Sequence, residues 1–167
     1  MNSTHVRAVD VHAHYGHYQR EEASELLESF STGDADEVVR RAEQANVRIT
    51  VVSPLSGLLP RGKSDVVKGN REARETVRNR PSLRQWVILH PAVTETYEQA
   101  VDILKEPYCV GIKLHPEEHT HVTSRNQTAE WPFLRRLDIH VKGLGVVFEG
   151  KFENFGLAHG LSLGLED

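Results

Sequence analysis

Short runs of apolar and β-branched residues alternate along this chain with longer stretches in which apolar residues recur every three or four positions. The first pattern predicts strands and the second amphipathic helices. A strand is predicted over about Val6 to Val11, ending in a turn at His12–His14, and Glu21 to Phe30 reads as a short helix. Asp34 with Glu37 three positions later has the form of a capping box. It opens a second helix whose buried stripe is Val38, Val39, Ala42 and Ala45. The β-branched run Val47 to Val52 is the second strand, stopping at Ser53-Pro54 because proline has no N–H to give a ladder.

Beyond a loop at Gly57 to Gly62, the pattern predicts a helix over Asp65 to Arg80 that buries Val66, Val67, Ala73 and Val77 and closes before Pro81. Leu83 to Leu89 follows as a strand and Thr94 to Lys105 as a helix, and Tyr108 to Leu114 is a strand broken at His115-Pro116. A helix at about Thr128 to Leu137 leads to a fifth strand within Ile139 to Phe148. Regular alternation of this kind predicts an α/β fold with a mainly parallel sheet, because each parallel pair needs a long crossover. From Gly143 onward the chain holds half of its 12 glycines and shows no periodicity. Residues 139–167 are therefore set apart as a poorly specified glycine-rich tail behind a domain spanning 1–138.

Composition narrows the function. With 167 residues, 38% hydrophobic and 26% charged, the chain is long enough for one ordinary globular core. The formal charge of -4 without a Lys/Arg cluster argues against a nucleic-acid surface and favours a small-molecule substrate. One cysteine, Cys109, cannot form an internal disulfide; in an apolar strand it reads as an inert buried thiol. No apolar run approaches the roughly 20 residues of a membrane span, and the first ten positions lack a signal core, so no membrane partner is expected and the cytoplasm is the expected location. The serine-hydrolase elbow, the phosphate-binding glycine loop and the dinucleotide turn have no counterpart in the sequence.

Ten histidines prompt a search for metal ligands. Strand alternation places Asp10, His12 and His14 on one face, so two imidazoles converge where a divalent ion could bind, with Asp10 behind them as an acceptor fixing a tautomer. Zinc suits that ligation best, and manganese is an alternative. The competing reading is a chance His-x-His in a polar loop. The same parity puts Lys113 and His115 on one face of the later strand. There they either contact substrate, by holding a carboxylate, polarising a carbonyl or bearing a metal-bridging carbamate, or make ordinary hydrogen bonds. Glu117, Glu118, His119 and His121 read as a solvated loop that could also line a pocket. His90 and Asn70 read as structural and His17 as a loop neighbour.

Val9-Asp10-Val11-His12-Ala13-His14 resembles the opening strand of the amidohydrolase superfamily of TIM-barrel metal hydrolases. Asn70-Arg71-Glu72-Ala73 through Arg80-Pro81, Leu89-His90-Pro91 and Val110-Gly111-Ile112-Lys113-Leu114-His115-Pro116 resemble, in order, landmarks of its amidohydrolase-2 branch. The resemblance covers about Val6 to His121. It implies the amino-terminal half of a (β/α)8 barrel with four to five βα units. It also implies His12 and His14 as metal ligands, and a metal-activated water attacking an amide or ester-like bond, with decarboxylation as a related chemistry. The family's later histidines and aspartate are not carried over to His140, His159 or Asp167, whose contexts differ. A complete barrel of this type takes roughly 250 residues, so the expectation is a chain shortened or frame-shifted after about residue 138. A half-barrel would leave strand edges exposed, from which come two further expectations: a homo-oligomer, and, as the alternative function, a non-catalytic remnant that binds metal weakly or serves as an interaction module.

Overall fold

The structure, a computed structural model, describes residues 7–19, 24–31, 33–115 and 118–119, together with the strand at 145–148. Its elements are β1 (Ala8–Tyr15), α1 (Glu25–Ser31), α2 (Ala35–Gln44), β2 (Val47–Pro54), a 3-10 turn (Leu55–Gly57), α3 (Val66–Arg78), β3 (Leu83–Ile88), α4 (Glu95–Ile103), β4 (Cys109–Leu114) and β5 (Gly145–Phe148). The strands form one parallel sheet in chain order, β1-β2-β3-β4-β5. The α/β alternation read from the sequence is therefore present, and β5 falls inside the segment set apart as a tail. The helix expected at Thr128 to Leu137 lies outside the described residues. Among the described residues no helix is long and apolar enough to cross a membrane.

Sequential parallel strands joined by crossovers of one hand place their helices on one face of a sheet. That face is the core. Tyr15, Ala35, Val52, Val77 and Leu83 join β1, β2 and β3 to α2 and α3. Val87, Leu89, Ala100, Ile103, Ile112 and Leu114 do the same for β3, β4 and α4. Both long central helices start on an aspartate whose carboxylate accepts an otherwise unpaired N–H of the first turn: Asp34 from Glu37 (2.8 Å) and Asp65 from Lys68 (2.9 Å). Only half of the expected capping box forms, because the Glu37 carboxylate is taken by Arg40 and Arg41.

Two close fits fix α3 on the sheet. A Cβ built on Gly69 would stand 2.6 Å from the Gly57 Cα, so helix and 3-10 turn approach at a distance only glycine permits. One residue on, the fully buried Asn70 side chain donates to Ile88 O (2.8 Å) and accepts from Ile88 N (2.8 Å). The β2–β3 ladder ends at Val52–Gln85, and Asn70 supplies to Ile88 what the ladder no longer does. Its structural role expected from the sequence is thus present.

The opposite face bends inward. β1 and β4 are three strand spacings apart, about 14 Å along the sheet. On a flat sheet, side chains standing perpendicular would keep their tips that far apart. Lys113 Nζ nevertheless lies 3.2 Å from His12 Nε2 and 3.1 Å from His14 Nε2. The sheet is therefore curled, with the helices on its convex side and this cluster in its concavity. Trp86 spans part of the same hollow, its indole N–H donating to Val11 O (2.8 Å) from two strands away.

One boundary is corrected. His12 and His14 do not sit in a turn after Val11, since β1 continues to Tyr15, with Ala13, His14 and Tyr15 in register with Val52, Ser53 and Pro54. β2 likewise runs two residues past its predicted stop. Proline is tolerated as the last strand residue, where its missing N–H interrupts nothing further along.

Candidate metal centre

The cluster on the concave face is built from β1, at one edge of the sheet, and β4, three strands away. β1 supplies His12 and His14, and β4 supplies Lys113, about a hundred positions later in the chain. His12 is exposed, His14 is half-buried and Lys113 is fully buried. The two imidazoles meet edge to face with ring centroids 5.2 Å apart and Nε2 atoms 3.2 Å apart. Lys113 Nζ and the two Nε2 atoms thus form a close triangle of nitrogens, and any N–H that Lys113 gives to the rings is accepted at Nε2. The two Nε2 atoms are turned toward one neighbourhood.

That arrangement fits half of a divalent metal site. Two nitrogens each about 2.1 Å from one ion stand about 3.0 Å apart in octahedral geometry and about 3.4 Å apart in tetrahedral geometry. The observed 3.2 Å lies between. Among the described residues no three His, Cys, Asp or Glu side chains gather as a metal-binding group. What accompanies the histidines is a lysine nitrogen.

Asp10 takes a different place from the one expected. Its carboxylate accepts the backbone N–H of His12 (2.9 Å). The register of β1 against β2 slips between Asp10 and Ala13, and this short local bond forms at the slip. Asp10 thus steadies the backbone that carries the histidines.

No family model and no curated protein matches the chain.

The other expected residues separate into two groups. His115, one residue past β4, is buried beside Lys113 in sequence; its Nδ1 accepts the Glu118 N–H at 3.4 Å. Glu118 and His119 were expected in a solvated loop, and here the structure differs: both are buried. The loop folds back onto the segment after β2, with Gly62 N donating to Glu118 O (2.8 Å), Arg61 Nε 3.3 Å from the Glu118 carboxylate and His119 Nε2 3.3 Å from Gly57 O. The His119 ring also packs on that of His90, centroids 4.6 Å apart. Glu117 and His121 lie outside the described residues, as do His140, His159 and Asp167. His17 is exposed and pairs with Glu28 (3.2 Å), away from the cluster. Burial pushes the Cys109 thiol above its ordinary range, which suits the inert role expected of it.

Two residues of the concavity were not singled out in the sequence. Ser53 is in register with His14 and, by alternation from the core residue Val52, shares its face. Trp86 is opposed to Val87 in the same way. The signal available was the parity of each strand against its core residues, applied to β2 and β3 as it was to β1 and β4.

Proposed function

We propose that the described strands are the amino-terminal half of a (β/α)8 barrel and that the chain is a metal-dependent hydrolase of the amidohydrolase type. The observation that carries this is the convergence of His12, His14 and Lys113 on the concave face, toward the carboxyl ends of parallel strands. Barrels of this class bear their active sites at that end. The one-way strand order and the curl supply the wall such a barrel needs.

In this reading His12 and His14 hold a divalent ion, zinc in the first instance or manganese, through Nε2. A bound ion supplies Lewis acidity toward water and toward a carbonyl of a small-molecule amide or ester-like substrate, or serves the related decarboxylation. The remaining work belongs to the chain's own residues. With the two Nε2 lone pairs given to the ion, Lys113 would turn its N–H groups from the rings to an oxygen that enters the concavity. His115, one position beyond β4, is the second substrate-binding candidate. Trp86 forms part of the floor, tied to β1 by its indole N–H on Val11 O.

The test is hydrolysis of a panel of small amides and esters by purified protein before and after chelation. Activity that is lost with chelator, restored by zinc or manganese and absent in His12→Ala/His14→Ala supports the reading. Turnover untouched by both treatments refutes it.

A second reading, a non-catalytic interaction module, is favoured by β1 itself. It ends the sheet, and Val9 and Val11 on it are 57% and 58% exposed. Concentration-dependent association that buries this strand, without metal uptake, would decide for it.

A further inference from the structure

Ser53 stands out among the residues of the concavity. It is fully buried, yet its Oγ makes no hydrogen bond. A hydroxyl removed from water and left without a partner is destabilising, and such groups are uncommon in folded chains. Its position is equally specific. β2 lies between β1, which carries the histidines, and the strands that lead to Lys113. Ser53 is the in-register neighbour of His14 and faces as His14 does, because Val52 before it points into the helix-side core. Lys113 reaches His14 from β4, two strands beyond β2, so Ser53 shares the concave face with the two imidazoles and the lysine.

We infer that Ser53 is a ligand-binding residue of this centre, its O–H donating to an anionic oxygen of a carboxylate or hydroxamate held at the His12–His14–Lys113 convergence. The inference rests on the metal-site reading above. It assigns the hydroxyl a partner that enters with the ligand. It also predicts a trade: removing the hydroxyl spares the empty protein a buried orphan and deprives the bound ligand of a donor.

The experiment loads wild type, Ser53→Ala and His12→Ala/His14→Ala with zinc, measures bound zinc, and titrates each with acetohydroxamate by calorimetry. The metal-free forms are melted in parallel. Ser53→Ala is expected to hold as much zinc as wild type, to bind acetohydroxamate about tenfold more weakly or worse, and to melt no lower without metal. Equal hydroxamate affinity in wild type and Ser53→Ala overturns the inference. A metal-free Ser53→Ala that melts well below wild type overturns it too, since the hydroxyl would then serve the fold. Zinc retained by the double histidine variant refutes the metal site itself. Zinc lost from that variant, with hydroxamate affinity unchanged in Ser53→Ala, refutes the role of Ser53 alone.

Discussion

Replacing Asn70 with alanine should be among the most damaging single changes in this molecule, although the residue is polar and far from the concave face. Its amide joins α3 to β3 by a reciprocal pair of bonds with Ile88, each 2.8 Å, and its Nδ2 also lies 3.1 Å from the Gln99 carboxamide oxygen on α4. Alanine removes the pair together and leaves the Ile88 N–H and C=O without their partner. Each buried backbone group so stranded costs about 1–3 kcal/mol, so the sum is about 2–6 kcal/mol. That is a large share of the stability of a domain of this size, and it lowers the melting temperature by roughly 5–15 °C. Asn70→Asp should fare no better, because its second carboxylate oxygen would face the Ile88 carbonyl and bring a buried charge. Urea unfolding followed by circular dichroism measures both. A loss under about 1 kcal/mol for Asn70→Ala would mean that water or another group satisfies Ile88, and would refute the argument.

Gly69→Ala should destabilise by about 1–3 kcal/mol despite alanine's higher helix propensity, because the new methyl meets the Gly57 backbone at 2.6 Å; a gain in melting temperature would contradict that fit. Trp86→Phe should cost about 1–2 kcal/mol in the same unfolding assay by leaving Val11 O without its indole donor, and an unchanged midpoint would show that the cross-sheet bond carries no stability. Arg40 first and Arg41 next hold the Glu37 carboxyl down at about 2, against an ordinary 4.5. A depressed folded-state value contributes stability above the ordinary one and loses it as pH falls through the lower. Glu37→Gln should therefore flatten the loss of stability between about pH 4.5 and 2, and an acid limb identical to wild type would count against the pairing.

The strands and helices were legible because their signals are local. β-branched runs such as Val47 to Val52, and the apolar stripe of α3, follow from the periods of strand and helix. Boundaries were less so. Whether β1 stops at Val11 or reaches Tyr15 depends on what β2 offers beside it, and β2 carries its ladder through Ser53 and Pro54. The convergence of His12 with His14 follows from alternation and needs no tertiary information. The arrival of Lys113 needs the curl of the sheet, a property of four strands acting together that no single segment encodes. Asp10 departed from parity because a register slip turned its carboxylate to the His12 backbone. Glu118 and His119 departed because polar residues on a loop look solvated until the loop finds a surface to fold against. Ser53 passed unnoticed for a simpler reason: a serine ending an apolar run reads as a stop signal, and only its register with His14 gives it chemical meaning.

The central claim is that His12 and His14 form a metal half-site in the hollow of a curled parallel sheet. Equilibrium dialysis of the purified full chain against zinc, with bound metal read by atomic emission, tests it most directly. The account predicts stoichiometric zinc on wild type and its loss from both His12→Ala and His14→Ala while their circular dichroism stays that of wild type. Equal zinc content in all three proteins, or none in wild type, would contradict it.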